Sequence, residues 1–220
     1  MTKDRAALIA AVSMLTLSSC YDAVSMNNES EEVRLLVKIA KMPVGAERDS
    51  LIDRLEDAPV HHLTFYERWL LVHDVIPFWD CWSDDGYDPS KSKFPRDVQL
   101  LAAAGYGKSD IDNGGFHQFF GNGTGVFAPE MAEWLERAGL TKGASIVRKA
   151  MAVFGPEFPR SQDARQEFLS RFGGESREEW DPFFELDDRF YAATKDELFD
   201  EAGNRWLRDV CGIKRLRDGY

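Results

Sequence analysis

Few of the residues that build metal centres occur in this chain. Its 220 residues include only three cysteines and four histidines. Cys20, Cys81 and Cys211 have none of the short paired spacings that zinc ligands share, and a metal site needs three or four converging ligands. We therefore expect no metal site, and we expect the histidines to lie at the surface or to be bonded internally.

Catalytic and cofactor-binding motifs are also missing from the sequence. It has no Gly-x-Ser-x-Gly elbow, no phosphate-binding glycine loop followed by Lys-Ser or Lys-Thr, and no dinucleotide-binding fingerprint. The aspartates between Asp80 and Asp88 lack the spacing and the terminal glutamate of a calcium-binding loop. His117 has no nucleophile or acid close to it in sequence. The sequence predicts a protein that is not an enzyme and needs no cofactor.

Positive charge is scarce in this chain. Lysine and arginine number 27 against 38 aspartates and glutamates, so the net charge is −11 at pH 7. Such an excess repels nucleic acid and anionic membrane surfaces, and it favours a basic protein as a partner. We expect no direct binding of nucleic acid.

The N-terminus has an apolar run that is too short to span a bilayer, which needs about 20 apolar residues. A short basic region precedes a charge-free run from Ala6 to Tyr21, which is typical of a secretory leader. Its Leu-Ser-Ser-Cys ending resembles a bacterial lipobox, in which Cys20 is lipidated and anchors the protein in a membrane. Two alternatives remain open: residues 1–20 form the buried first helix of a cytoplasmic protein, or Met26 is the true start.

Apolar residues recur with helical spacing along most of the remaining chain, and nothing alternates convincingly with the period of strands. The clearest amphipathic pattern runs from Phe127 to Ala138. Four residues have the side chains and context that begin helices: Thr64, Ser161, Ser176 and Thr194. We predict an all-α fold, in which residues 96–220 form a compact multi-helix domain after a helical extension and an aromatic, acidic loop at residues 27–95.

The most distinctive stretch runs from Asp112 to Gly125 and contains five glycines and three phenylalanines. Phe116, Phe119 and Phe120 have the i, i+3, i+4 spacing of one helical face. We therefore expect these three side chains to lie in the core.

The glycines of this motif predict where its short helix begins and ends. We expect a start near Gly115, with Asp112 or Asn113 as the capping side chain. We expect Gly121 to end the helix in the left-handed conformation.

Two roles remain open for the motif. In the architectural role, Gly114 and Gly115 let the backbone pass close to another helix. In the functional role, polar residues of the motif form a surface cluster that contacts a small or envelope ligand: Asn113, His117, Gln118 and Asn122.

The run Asn-Gly-Gly-Phe-x-Gln-Phe-Phe, followed by Asn and Gly, resembles the signature of the bacterial DNA mimic protein family. The resemblance extends from about Val98 to about Leu207 and includes a Leu-Asp-Asp-x-Phe-Tyr run that begins at Leu186. It implies a non-enzymatic protein that occupies a basic, DNA-binding protein, and it implies a homodimer. The motif is specific for the domain rather than for DNA mimicry.

Negative charge is concentrated between Glu175 and Glu201, where eleven acids and three bases give a net charge of −8. One interpretation is a surface whose carboxylates take the place of DNA phosphates, which requires dense charge on rigid helices. The other is an ordinary solvated surface, with some acids placed at helix N-termini where the dipole favours them. Six residues are our candidates for contact with a basic partner: Asp187, Asp188, Asp196, Glu197, Asp200 and Glu201.

Overall fold

The computed structural model describes residues 31–57, 63–73, 82–83 and 86–219. The chain divides into two compact units, Met1–Val75 with Leu207–Tyr220, and Ile76–Trp206. Cys20 and the leader lie outside the described residues, so lipidation stays a prediction.

The first unit contains three described helices: α1 (Glu31–Ala40), α2 (Ala46–Glu56) and α3 (Phe65–Val72). The segment Met42-Pro43-Val44-Gly45 separates the first two, as expected of a proline and a glycine in sequence. A capping box opens α3, in which the backbone N–H of Thr64 donates to Glu67 Oε2 at 2.8 Å. The predicted capping role of Thr64 is confirmed.

Long-range hydrogen bonds close the first unit around α3. The guanidinium of Arg48 donates to the carbonyl of Val72 at 2.7 Å. The indole of Trp69 donates to the carbonyl of Asp218 at 2.6 Å, and a ring nitrogen of His73 lies 2.7 Å from the carbonyl of Leu216. The chain's C-terminal segment therefore packs on α3 within this unit.

The second unit begins, among its described residues, with a hairpin of two-residue strands. Strand β1 (Trp82–Ser83) pairs antiparallel with β2 (Gly86–Tyr87), and a 3-10 turn follows at Pro89–Lys91. We predicted a loop here. The two strands were missed because a strand of two residues is too short for an alternation of period two to appear in the sequence.

The other regular elements among the described residues of the second unit are helical. They are α4 (Arg96–Gly121), a 3-10 turn (Gly123–Phe127), α5 (Ala128–Arg137), α6 (Thr141–Ala152), α7 (Gln162–Leu169), α8 (Arg177–Trp180), α9 (Phe184–Ala193) and α10 (Asp196–Asp209), of which the second unit includes the part up to Trp206. The predicted all-α class is confirmed. No helix within the described residues is both long and apolar enough to cross a membrane.

The core of the second unit lies around α4, which packs against α5, α7 and α9, while α5 packs against α6. Trp134 of α5 is fully buried, with its ring 4.9 Å from that of Phe199 and 6.0 Å from that of Trp206. These contacts fix α10 against α5 along its length within this unit.

Two predicted helix termini are wrong. Gly121 ends α4 without adopting a left-handed conformation, because the chain continues through Asn122 in an extended conformation. Thr194 does not begin α10; its hydroxyl donates to the carbonyl of Phe190 at 2.8 Å and closes the end of α9. A threonine hydroxyl can bond the carbonyl four residues before it as well as a following N–H, and the sequence does not distinguish the two.

Candidate functional site

A kink interrupts α4 in the middle of the glycine motif. Gly114 (φ −156°, ψ 23°) and Gly115 (φ 73°, ψ −175°) leave helical geometry, so α4 consists of two helical stretches joined at these residues. The positive φ of Gly115 is a conformation that side chains with a Cβ rarely adopt. The backbone N–H groups of the second stretch, which begins at Phe116, therefore need acceptors from elsewhere.

Asp187 of α9 supplies the acceptor for this second stretch. Its Oδ1 accepts the backbone N–H of Phe116 at 2.9 Å. A Cβ on Gly115 would collide with the same carboxylate, so glycine is needed for Asp187 to approach. The prediction that Asp112 or Asn113 caps this helix is wrong, because the cap comes from a residue 71 positions further along the chain.

Asp187 belongs to a buried group of charges. Arg177 donates to Asp187 Oδ2 at 2.6 Å and to Asp181 Oδ2 at 3.2 Å. Both aspartates are 2% exposed, whereas the side chain of Arg177 is 44% exposed. Burial raises the pKa of Asp187, and the bond from Phe116 and the charge of Arg177 oppose that rise. One arginine thus closes over two buried carboxylates.

The C-terminal end of the motif helix is held by a buried cation. Arg165 of α7 is 0% exposed, and it donates to the carbonyls of Phe120 and Asn122, each at 2.9 Å. It also donates to the carbonyl of Arg160 at 2.5 Å. Burial, with a smaller effect of the charge on Arg160, lowers the pKa of Arg165 to about 10. A guanidinium suits this position because it spreads several donors over the backbone carbonyls around the end of α4.

The three phenylalanines of the motif lie in the core, as predicted. Phe116, Phe119 and Phe120 are each 0% exposed. The ring of Phe116 lies 5.3 Å from that of Phe190, and the ring of Phe120 lies 5.1 Å from that of Phe183. The motif therefore joins α4 to α9 through both its backbone and its aromatic side chains.

The four polar candidates of the motif do not form a single cluster, although two of them meet at Asp110. Gln118 and Asn122 bond the carboxylate of Asp110, as does the hydroxyl of Thr124. His117 packs edge-on against Trp180, with ring centroids 5.1 Å apart. Asn113 is exposed. These contacts support the architectural role, and none of them supports the ligand-binding alternative.

The acidic candidates divide by exposure. Asp188, Glu197 and Glu201 are exposed. Asp200 is half-buried, and Asp196 is half-buried and bonded to Lys108 Nζ at 3.1 Å.

Asp187 needs a correction as a partner-binding candidate. Its carboxylate is 2% exposed and is bonded to Phe116 and Arg177. It therefore presents no surface to a partner. The sequence did not reveal this, because the exposed Asp188 is its immediate neighbour and has the same side chain.

Two arginines that hold the motif and the helix that caps it were missed by the sequence interpretation. Arg165 acts on carbonyls 43 and 45 residues away, which leaves no local pattern. Arg177 did have a signal, because Asp181 follows it at the i+4 spacing of a helical ion pair. Within the described residues, no group of three or more histidine, cysteine or acidic side chains is placed to hold a metal ion.

A comparison with known protein families identifies the family of this chain. A family model described as "DMP19-like protein" matches residues 92–210, which is more than half of the sequence. The chain belongs to the DMP19-like protein family. The match covers the motif, the buried charge group and α10, and it confirms the resemblance to DNA mimic proteins that we predicted from the motif. No curated protein and no solved structure matches the chain.

Proposed function

We propose that this protein binds a basic, DNA-binding protein through exposed carboxylates of α9 and α10, and that these carboxylates take the place of DNA phosphates. The observation that carries the proposal is the placement of Asp188, Glu197 and Glu201 on the outer faces of two regular helices. Membership of the DMP19-like family supports it.

The density of charge on α10 suits this role. Glu197, Asp200 and Glu201 lie within five residues, or about 7.5 Å of helix axis at ~1.5 Å per residue. That corresponds to one carboxylate per about 2.5 Å, against one phosphate per ~1.7 Å of duplex DNA. Over this short length, the charge density is of the same order as that of the molecule it would replace.

Rigidity also supports the proposal. The hydroxyl of Tyr191 on α9 donates to the carbonyl of Ile111 at 2.8 Å, and the capping bond from Phe116 to Asp187 holds the same helix. The ring of Phe199 fixes α10 against Trp134. Carboxylates on fixed helices lose little conformational entropy when a partner binds, so the entropy cost of binding offsets less of the electrostatic attraction to the partner.

Competition with DNA tests the proposal directly. The immobilised protein is exposed to lysate of the source cell at low salt, and the retained proteins are then challenged with duplex DNA or with increasing salt. We expect duplex DNA to release them, because a mimic occupies their DNA-binding surface. We expect salt to weaken retention steeply, because screening shortens to ~8 Å at 0.15 M ionic strength.

A matched pair of variants assigns the effect to α10. Glu197→Gln with Glu201→Gln removes two charges from the proposed surface, and Glu157→Gln with Asp163→Asn removes two exposed charges from outside the acidic segment. Only the first variant should lose retention and associate more slowly, since exposed charges chiefly steer encounter. Equal loss in both variants, or retention that duplex DNA does not reverse, contradicts the proposal.

A further inference from the structure

Leu198 is an exposed apolar side chain in the middle of the acidic surface. It is 48% exposed, although the other large apolar side chains of α10 within the second unit, Phe199 and Trp206, are 1% and 4% exposed. Helical spacing places Leu198 one turn before Glu201, and Glu197 is its immediate neighbour. The fold therefore does not use Leu198 to fill the core.

We propose that Leu198 is the apolar anchor of the partner-binding surface, and that it fits a shallow apolar recess bordered by lysine or arginine on a basic protein. This inference rests on the proposed function and adds to it the feature that selects the partner. To be complementary, the partner must place lysine or arginine opposite the acids around Leu198, and the recess that receives the leucine must be apolar.

A physical argument connects the leucine to selectivity. Charge alone attracts every basic protein, because the interaction acts over long distances and depends little on shape. Burial of an apolar side chain depends on a matching recess, and a few residues in well-packed, desolvated pockets account for much of the affinity of protein interfaces. An acidic helix with one fixed leucine therefore distinguishes a complementary basic surface from a basic surface without a recess.

The position of Leu198 is fixed before binding. Asp196, two residues earlier, is bonded to Lys108 at 3.1 Å, and Phe199, the next residue, packs on Trp134. An anchor on a rigid helix needs little ordering when the partner arrives, so most of its burial contributes to affinity.

Two synthetic peptides of equal positive charge test the inference. One is a lysine-rich helix with a row of leucines, and the other has alanine in place of each leucine. We expect the full-length protein to bind the leucine peptide about five- to tenfold more tightly, the effect of burying the remaining half of one leucine side chain. Leu198→Gln should bind both peptides equally and keep the salt dependence of the wild type.

Val210→Gln is the matched control. Val210 is 45% exposed and lies outside the acidic segment, so its substitution removes a similar apolar surface and should leave the peptide preference unchanged. Glutamine forms helices well, which suits position 198 within α10, and Val210 lies just after the end of that helix. Circular dichroism should therefore show both variants folded. An equal preference in the wild type and in Leu198→Gln overturns the inference.

The same titration separates this inference from the proposed function. If both peptides bind the wild type with steep salt dependence but without preference, the result supports binding through the acidic surface and overturns the role of Leu198 as an anchor. If neither peptide binds at low salt, the proposed function fails and the anchor with it. Sedimentation velocity adds a further outcome: a dimer that Leu198→Gln converts to a monomer would place a second copy of the chain on Leu198 and overturn the anchor.

Discussion

The carboxylate of Asp187 caps a helix that begins 71 residues earlier, by accepting the backbone N–H of Phe116 at 2.9 Å. This bond ties α9, which carries exposed acids, to the kink of the glycine motif. It also explains why the motif contains paired glycines, since Gly115 turns the backbone and leaves space for the carboxylate. The motif and the acidic segment are thus two parts of one structural unit.

Gly115→Ala should destabilise the protein by roughly 2–4 kcal/mol, because the new Cβ meets Asp187 and the backbone has a positive φ. Urea denaturation measures this change. Gly173→Ala is the control, since nothing lies within 4 Å of its Cβ position, and it should change stability by about 0.5 kcal/mol or less. Equal effects of the two substitutions would contradict the steric role of Gly115.

Arg177→Gln should cost about 2–3 kcal/mol of stability, because it leaves the buried carboxylates of Asp181 and Asp187 without their cation. The value lies below the ~3–5 kcal/mol typical of fully buried pairs because the arginine is 44% exposed. Arg171→Gln removes an exposed ion pair with Glu167 and should have little effect. Chemical denaturation that finds the two variants equally stable would show that Arg177 is not needed over the carboxylates.

Phe119→Ala should destabilise the protein by about 3–5 kcal/mol, because its ring is fully buried against Phe120. His117→Ala changes a half-buried neighbour outside the phenylalanine cluster and should cost about 1 kcal/mol or less. Thermal and urea unfolding of both variants test the contrast. An unchanged melting temperature for Phe119→Ala would mean that the phenylalanine face is not core.

Asp110→Asn should change how stability depends on pH. Burial raises the pKa of Asp110 above its ordinary value, and bonds from Thr124, Asn122 and Gln118 oppose the rise. The folded state therefore holds this proton more tightly than the unfolded state. The resulting stability is fully present below the unfolded pKa of 3.8 and is lost as the pH rises through the folded pKa.

Urea denaturation at pH values from 4 to 7 measures this effect. The wild type should lose stability relative to Asp110→Asn as the pH rises through the lower part of that range, and the difference should then become constant. A difference between the two proteins that does not vary with pH would mean that the pKa of Asp110 is not raised.

Local patterns predicted much of the fold. Three helix N-termini were predicted correctly, at Thr64, Ser161 and Ser176. Each depends on a side chain that reaches a backbone N–H two or three residues away. The burial of the motif phenylalanines follows from helical spacing alone, because an apolar face must be covered. Thr194 was misassigned because one hydroxyl serves either end of a helix.

The candidate site was less predictable, because exposure depends on what packs against each acid. Asp187 and Asp188 are adjacent and chemically identical, yet one is buried under Arg177 and the other is exposed. Neighbouring residues of a helix point about 100° apart around its axis. The position of α4 therefore decides that Asp187, and not Asp188, contacts α4.

The sequence by itself determined the all-α class, the burial of the phenylalanine face and the family, because each depends on residues close together in the chain. Only the tertiary structure decided that Asp187 caps Phe116, that Arg165 closes the other end of the motif helix, and that Leu198 remains outside the core. The two contacts join residues 43 to 71 positions apart, and the exposure of Leu198 depends on how α10 packs. No local pattern encodes such distances, because they arise only when the helices pack.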